Sequence, residues 1–189
     1  MIDLGTGDGR AVMARARCEP DALVIGIDAS AAAMTESSRR AARPLRRGGL
    51  PNALFLVAAA ECPPPELVGL ADEVTILFPW GSLLRGALAR DEAVASGIAR
   101  LLRPGGRVEA VVSITERDGL GVPPLSAADA ARLATRWASH GLDLLAFRPA
   151  TSAEIDATGS TWARRLRAGG DRPVWRMSLG RGRRLAMGD

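Results

Sequence analysis

The feature that most constrains this chain is a glycine-rich run, Asp3-Leu-Gly-Thr-Gly-Asp-Gly9, set between a short apolar segment and a helix-like one. Gly5, Gly7 and Gly9 let the backbone turn tightly and leave it bare, so a ligand can approach closely. A strand that ends in such a loop and then opens a helix is the first unit of an open α/β sheet. Ligands of such sheets bind beyond the carboxyl ends of the strands. The spacing here is GxGxG, which departs from the GxGxxG of dinucleotide binders.

The remaining pattern alternates strand-like and helix-like segments, which predicts an α/β domain with a mostly parallel seven-stranded sheet and helices on both faces. Strands are expected at Met1–Leu4, Leu23–Ile27, Ala53–Ala58, Glu73–Phe78, Arg107–Ile114, Leu142–Arg148 and Val174–Leu179. Helices are expected at Ala11–Arg17, from about Ser30 to Arg43, at Asp91–Leu102 and at Ala127–Ser139. Arg103-Pro104-Gly105-Gly106 reads as a stop after the third of these, and Pro123-Pro124 marks a loop. Residues 1–179 form a single domain in this reading, followed by an Arg/Gly-rich tail at 180–189. Because Met1 already lies inside a central strand, we expect the true start codon to lie further upstream.

A chain of 189 residues suits one domain with a substantial core. No apolar run approaches the roughly 20 residues of a membrane span and no signal peptide is visible, so no membrane partner is expected. Cys18 and Cys62 have no metal-ligand spacing; two isolated thiols fit a reducing, cytoplasmic setting, with core packing as their expected role. His140 is the sole histidine, so neither a zinc site nor a Ser-His-Asp triad is expected. It closes a helix, where it would favour the dipole.

All 25 basic residues are arginine and the net charge is +4. They cluster: Arg39, Arg40, Arg43, Arg46 and Arg47 form one group. Arg164, Arg165, Arg167, Arg172, Arg176, Arg181, Arg183 and Arg184 form another. Planar guanidinium forks in such groups suit phosphate, which points to a polyanionic partner; a solvated basic face is the plainer alternative.

Asp28 closes the second strand, where a carboxylate can accept both hydroxyls of a ribose, and Ala60-Glu61 follows the third. With the glycine loop and the element order, these residues resemble the class I S-adenosylmethionine-dependent methyltransferases. The resemblance implies that Asp3, Gly5 and Gly7 line the methionine moiety, with Thr6 and Pro79 in the same cofactor set. It also implies that Asp28 meets the ribose and that Ala60 and Glu61 meet the adenine.

The fourth strand runs into Phe78-Pro79-Trp80-Gly81-Ser82-Leu83-Leu84-Arg85-Gly86. Phe-Pro-Trp offers an aromatic plane but no acceptor for an exocyclic amine, which fits a ring nitrogen whose lone pair needs no deprotonation. Trp162 lies in Gly159-Ser-Thr-Trp-Ala-Arg-Arg-Leu166. Two indoles near one cofactor could sandwich a flipped base, whereas Trp137 and Trp175 read as core. The FPWGSLLRG, RRAARPLRRGGLPN and STWARRL segments together are similar to the aminoglycoside-resistance 16S rRNA methyltransferases of the KamB and NpmA type. That resemblance implies methylation of N1 of adenine 1408 in the assembled 30S subunit by a monomer. It implies that Trp80 and Trp162 are catalytic, holding the adenine, and that Arg39–Arg47, Arg164 and Arg165 meet the rRNA. The resemblance implies an upstream segment that contributes to the cofactor pocket and to ribosome docking, and this chain is expected to lack it. Ala168-Gly169-Gly170 stands where the family has another basic residue, for which Arg167 or Arg172 would substitute. A small-molecule methyltransferase and a non-catalytic rRNA-binding relative remain open alternatives.

Overall fold

A computed structural model describes residues 1–165 and 172–182, with the side chain of Arg165 excepted. Seven strands form one sheet: β1 (Ile2–Leu4), β2 (Val24–Asp28), β3 (Ala53–Val57), β4 (Ala71–Leu77), β5 (Leu102–Val112), β6 (Leu142–Pro149) and β7 (Trp175–Arg181). Their order is β3-β2-β1-β4-β5-β7-β6. Only β7 runs antiparallel to its neighbours, so the expected Rossmann-like architecture is the one observed. The helices are α1 (Arg10–Cys18), α2 (Ala31–Ala41), α3 (Gly81–Ala87), α4 (Glu92–Leu101), α5 (Ala130–Ala138), α6 (Ser152–Ala157) and α7 (Thr161–Arg165). The short α3, α6 and α7 carry too few turns to show a helical period in sequence.

Local chemistry sets the boundaries. Ser30 caps α2 by accepting from the Ala33 N–H, and Asp91 caps α4 by accepting from the Val94 N–H. α4 ends at Leu101, just before the stop expected at Arg103–Gly106, and those four residues form an irregular start to β5, across which the register with β4 shifts. β7 extends through Gly180 and Arg181, which pair with Arg107 and Leu142, so the strand reaches past the domain boundary expected at 179. Residues 183–189 of the expected tail lie outside the described residues.

Each face of the sheet has its own core. On one, Ile2, Ile25, Val74, Ile76, Val108 and Val112 pack against Leu84, Ile98 and Trp137 of α3, α4 and α5. On the other, Val12 and Met13 of α1 and Ala41 of α2 cover Val24 and Ala53. That second face turns polar over β4, β5 and β7, where alternate residues are Glu73, Arg107, Glu109, Arg176 and Ser178. They are joined by Arg107–Glu73 (2.6 Å) and Arg176–Glu109 (3.0 Å). Phe78, Val111, Ile155, Ala163 and Val174 form a third, smaller core that ties α6 and α7 to the sheet.

Trp137 and Trp175 are buried as expected, Trp175 stacked on Phe147 with ring centroids 4.7 Å apart. Cys18 and Cys62 are exposed, so their expected packing role is corrected: one ends α1 and the other sits in the loop after β3. The His140 side chain is buried edge-on against Trp137, with Nε2 3.5 Å from a Glu92 carboxylate oxygen, and so packs α5 on α4. No helix among the described residues is long and apolar enough to cross a membrane.

Candidate active site

The strand order reverses between β1 and β4, and beyond the carboxyl ends of β1 to β4 lies a cavity of about 560 Å³. Its walls include Asp3, Gly5, Thr6, Gly7, Asp28, Ala60, Glu61 and Pro79, together with Trp80 and Trp162. The structure therefore gathers every cofactor and aromatic residue singled out in the sequence around one space.

The glycine loop is held by its own backbone, since the Gly5 and Thr6 N–H groups both donate to the Ile27 carbonyl. Gly5, Gly7 and Gly9 all take positive φ. At Gly5 a Cβ would lie 2.3 Å from Leu83 Cδ2, whereas the space over Gly7 is open. Asp28 binds the loop to α2: one carboxylate oxygen accepts from the Gly7 N–H and the other from the Ser30 N–H, each at 2.8 Å. Each oxygen retains a lone pair for a hydroxyl on its outer side. Asp3 is buried and accepts from the Thr75 hydroxyl at 2.8 Å. Burial pushes its carboxyl above the ordinary value, the threonine hydrogen bonding opposing that rise.

The Thr6 hydroxyl is buried in the same wall beside Asp3 and, with that of Thr75, favours the charged form of the Asp3 carboxyl. Open backbone over Gly7 and carboxyl groups at Asp3 and Asp28 fit an amino-acid moiety joined to a nucleoside. The donor set therefore fits S-adenosylmethionine.

The aromatic side of the cavity depends on Phe78. Its φ is 50°, a left-handed conformation costly for a bulky residue, on the order of 1–3 kcal/mol. The Phe78 N–H donates to the Val111 carbonyl at 2.7 Å, and its ring sits in the third core. This turn swings Pro79 and Trp80 out of the sheet and over the cavity. Trp80 is 42% exposed and Trp162 36% exposed, unlike the two core tryptophans. Their ring centroids are 6.2 Å apart with planes at 84°. The rings meet edge to face, so the sandwich expected from the sequence is not preformed.

The arginines divide. Arg39, Arg40, Arg43, Arg46 and Arg47 are all exposed, at and just beyond the carboxyl end of α2. The amino end of α2 faces the cavity through Ala33, so this cluster begins about 9 Å further along the helix. Arg164 is exposed on α7. The side chain of Arg165, and Arg167, Arg183 and Arg184, lie outside the described residues. Arg172 departs from its expected role: its guanidinium donates to Ser113 Oγ and carbonyl and to Asp118, and its side chain is only 13% exposed. It braces the loop after β5 instead of facing a phosphate. Arg176 pairs with Glu109 and Glu154, and Arg181 donates to the Ala99 and Leu102 carbonyls, so both are likewise committed internally.

The model of the NpmA family, 16S rRNA (adenine(1408)-N(1))-methyltransferase, matches residues 1–180. The chain belongs to the NpmA family. A 16S rRNA (adenine(1408)-N(1))-methyltransferase of Streptoalloteichus tenebrarius is 36% identical over 178 residues, covering 91% of this chain and 82% of the relative. Among solved structures, a tryptophan-to-alanine mutant of the corresponding enzyme from Catenulisporales acidiphilia, with cosubstrate SAM, is 32% identical. It superposes with a TM-score of 0.88 over 97% of this chain and 85% of that one. The aminoglycoside resistance methyltransferase NpmB1 is 41% identical, with a TM-score of 0.80 over 95% and 85% of the two chains.

In this NpmA-family chain the cavity also recruits residues that the sequence does not advertise. Leu83 fills the space beside Gly5, and Ser160 and Thr161 close the wall next to Trp162. Leu83 stands in the PWGSLL run, so a partner for Gly5 was within reach of sequence reasoning. Thr161 was not: its hydroxyl donates to Asp8, 153 positions away.

Proposed function

We propose that this chain transfers a methyl group from S-adenosylmethionine to N1 of adenine 1408 of 16S rRNA, acting as a monomer on the assembled 30S subunit. Membership of the NpmA family supports the reaction. The observation that carries the site assignment is the meeting of Trp80 and Trp162 at the wall of the cavity floored by the glycine loop. Asp3, Gly5, Thr6 and Gly7 would hold the methionine part, Asp28 the ribose, and Ala60 and Glu61 the adenine, with Pro79 alongside. When bound, S-adenosylmethionine supplies a methyl group activated by a positively charged sulfur.

The acceptor N1 has its own lone pair, so the protein needs no general base there; it must supply position. A base in a structured RNA has to leave its stack, at a cost of a few kcal/mol, and aromatic stacking returns about 1–3 kcal/mol per base. Trp80 and Trp162, both exposed at the cavity wall, would provide that stacking, with the Phe78 turn holding the first of them. Arg39, Arg40, Arg43, Arg46, Arg47 and Arg164 are exposed for phosphate contact, and Arg165 belongs to the same proposal. Work on ribosomal subunits would place the enzyme in the cytoplasm, and methylation there would confer aminoglycoside resistance.

Primer extension on 30S subunits incubated with the protein and S-adenosylmethionine tests this reading. A stop at adenine 1408 is expected, with turnover falling steeply as salt rises, because phosphate contacts release counterions. No stop, despite cofactor binding measured by calorimetry, would overturn it. Salt-insensitive turnover of a small molecule would indicate a different substrate class, and failure to bind the cofactor a non-catalytic relative.

A further inference from the structure

The Thr161 hydroxyl donates to Asp8 Oδ2 at 2.9 Å. This bond joins the glycine loop to α7, whose second residue is Trp162. Asp8 is built firmly into the loop. Its other carboxylate oxygen accepts from the Arg10 N–H at 3.2 Å, and its carbonyl accepts from the Ser37 hydroxyl at 2.6 Å. Asp8 is thereby fastened to the start of α1 and to α2. On the far side, α7 reaches the sheet through Ala163 in the third core. A helix of five residues has little stability of its own, so bonds made by its end residues help to set where it sits. Trp162 follows Thr161 directly, and its ring stands at 84° to that of Trp80.

We infer that the Asp8–Thr161 hydrogen bond couples occupancy of the cofactor loop to the aim of Trp162, which makes both residues positioning residues for the reaction. The inference rests on the function proposed above. Gly7 and Gly9 flank Asp8 in the stretch of backbone that a cofactor would contact. A ligand that orders this loop orders the Asp8 carboxylate, and through it Thr161 and the neighbouring indole. Neither Asp8 nor Thr161 touches the reacting atoms. Such coupling is reciprocal: cofactor tightens the grip on RNA by the factor by which RNA tightens the grip on cofactor. The chemical consequence is ordered capture, in which the base clamp is set only once a methyl donor is in place.

The test uses Thr161→Val, which keeps the shape and removes the donor, Thr161→Ser, which keeps the donor, and Asp8→Ala, which removes the acceptor. The readout is the ratio of 30S affinities measured with and without S-adenosylhomocysteine. In the wild type this ratio should be at least ~5-fold, the lower end of ordinary coupling. It should fall to about one in Thr161→Val and Asp8→Ala, and return in Thr161→Ser, with kcat following the same order. Cofactor affinity in the absence of RNA should change less than about twofold in Thr161→Val, because its substitution lies outside the glycine loop. The double variant Asp8→Ala/Thr161→Val should lose no more than either single one, a result that general unfolding would not give. Wild-type coupling in Thr161→Val, or full additivity in the double variant, would overturn the inference. If the wild type fails to methylate 30S subunits, the proposed function falls. The coupling is then read from the change in tryptophan fluorescence on adding S-adenosylmethionine, present in wild type and Thr161→Ser and absent in Thr161→Val.

Discussion

At Phe78 a bulky side chain adopts a left-handed φ of 50°, and the surrounding packing holds it there: its ring is 3% exposed among Val111, Ile155, Ala163 and Val174. The strain is spent on aiming Trp80, which no unstrained continuation of β4 would carry over the cavity. The Phe-Pro-Trp run and the isolated Trp162 were visible in the sequence, and so was the contrast with Trp137 and Trp175, which sit inside regular patterns. What could not be read is the 84° angle between the two exposed rings, because it depends on how two loops far apart in sequence meet. Trp162→Ala should reduce methylation of 30S subunits by roughly 5–160-fold, the kinetic equivalent of the 1–3 kcal/mol that one base stack contributes. Cofactor affinity by calorimetry should stay within about twofold, since Trp162 lies beyond the glycine loop. Equal losses in both measurements would assign the residue a structural role.

The elements that carry the site are supported by neighbours chosen for smallness. Gly97 of α4 lies against the loop after β3, where a Cβ would come within 1.9 Å of the Ala60 carbonyl oxygen and 3.3 Å of the Glu61 Cα. A helical Gly→Ala change ordinarily stabilises by about 1 kcal/mol through backbone entropy. Here the clash is with backbone, and overpacking of this kind costs about 1–3 kcal/mol, so the clash should win. Gly97→Ala is expected to lower the melting temperature by several degrees and to weaken S-adenosylmethionine binding by roughly fivefold or more, through displacement of Ala60 and Glu61. Scanning calorimetry and cofactor titration measure the two effects; a raised melting temperature with unchanged affinity would mean that the loop gives way freely. The alternation in EVTIL, RVEAVV and WRMSL had a similar hidden meaning. A parallel strand covered on both faces reads as continuously apolar. Here every second residue is charged or polar, because over β4, β5 and β7 one sheet face carries an ion-pair ladder rather than a hydrophobic layer.

Across the molecule, the same pairing of arginine with carboxylate sets the response to pH. Burial alone would raise the Asp118 carboxyl, but hydrogen bonds from the Arg172 guanidinium and the Thr115 N–H outweigh it and hold the group below its ordinary 3.8. Glu154 is held well below the usual carboxylate range, first by Arg148 and then by the Thr151 N–H and Arg176. A carboxylate whose folded value is depressed contributes stability above its unfolded value, and that contribution is lost as pH falls through the folded value. Asp3 runs the other way, since protonation relieves its burial, and it offsets part of the loss. The melting temperature should therefore stay nearly level between about pH 7 and 5 and drop below about pH 4. Asp118→Asn should cost on the order of 1–3 kcal/mol at neutral pH, leaving the Arg172 guanidinium without its charged partner, and should shallow the acid slope. An acid slope identical to that of the wild type would remove this pair from the explanation.

The strands of the sheet, the glycine loop and the carboxylate at the end of β2 were legible from residue order, because each rests on local periodicity or on spacing within a single β-loop-α unit. Residue order also identified the exposed Arg39–Arg47 cluster, which follows from one helix and its turn. Tertiary structure alone decided the fate of the other arginines: β7 lies between β5 and β6, which brings Arg176 to Glu109 and Glu154 and Arg181 to the end of α4, and the Pro173 segment carries Arg172 to Asp118. It alone brought Thr161 to Asp8, and with that bond α7 to the glycine loop. The reason is physical: a side chain's charge is written in the sequence, but the partner that satisfies it is set by which strands the folded sheet makes neighbours.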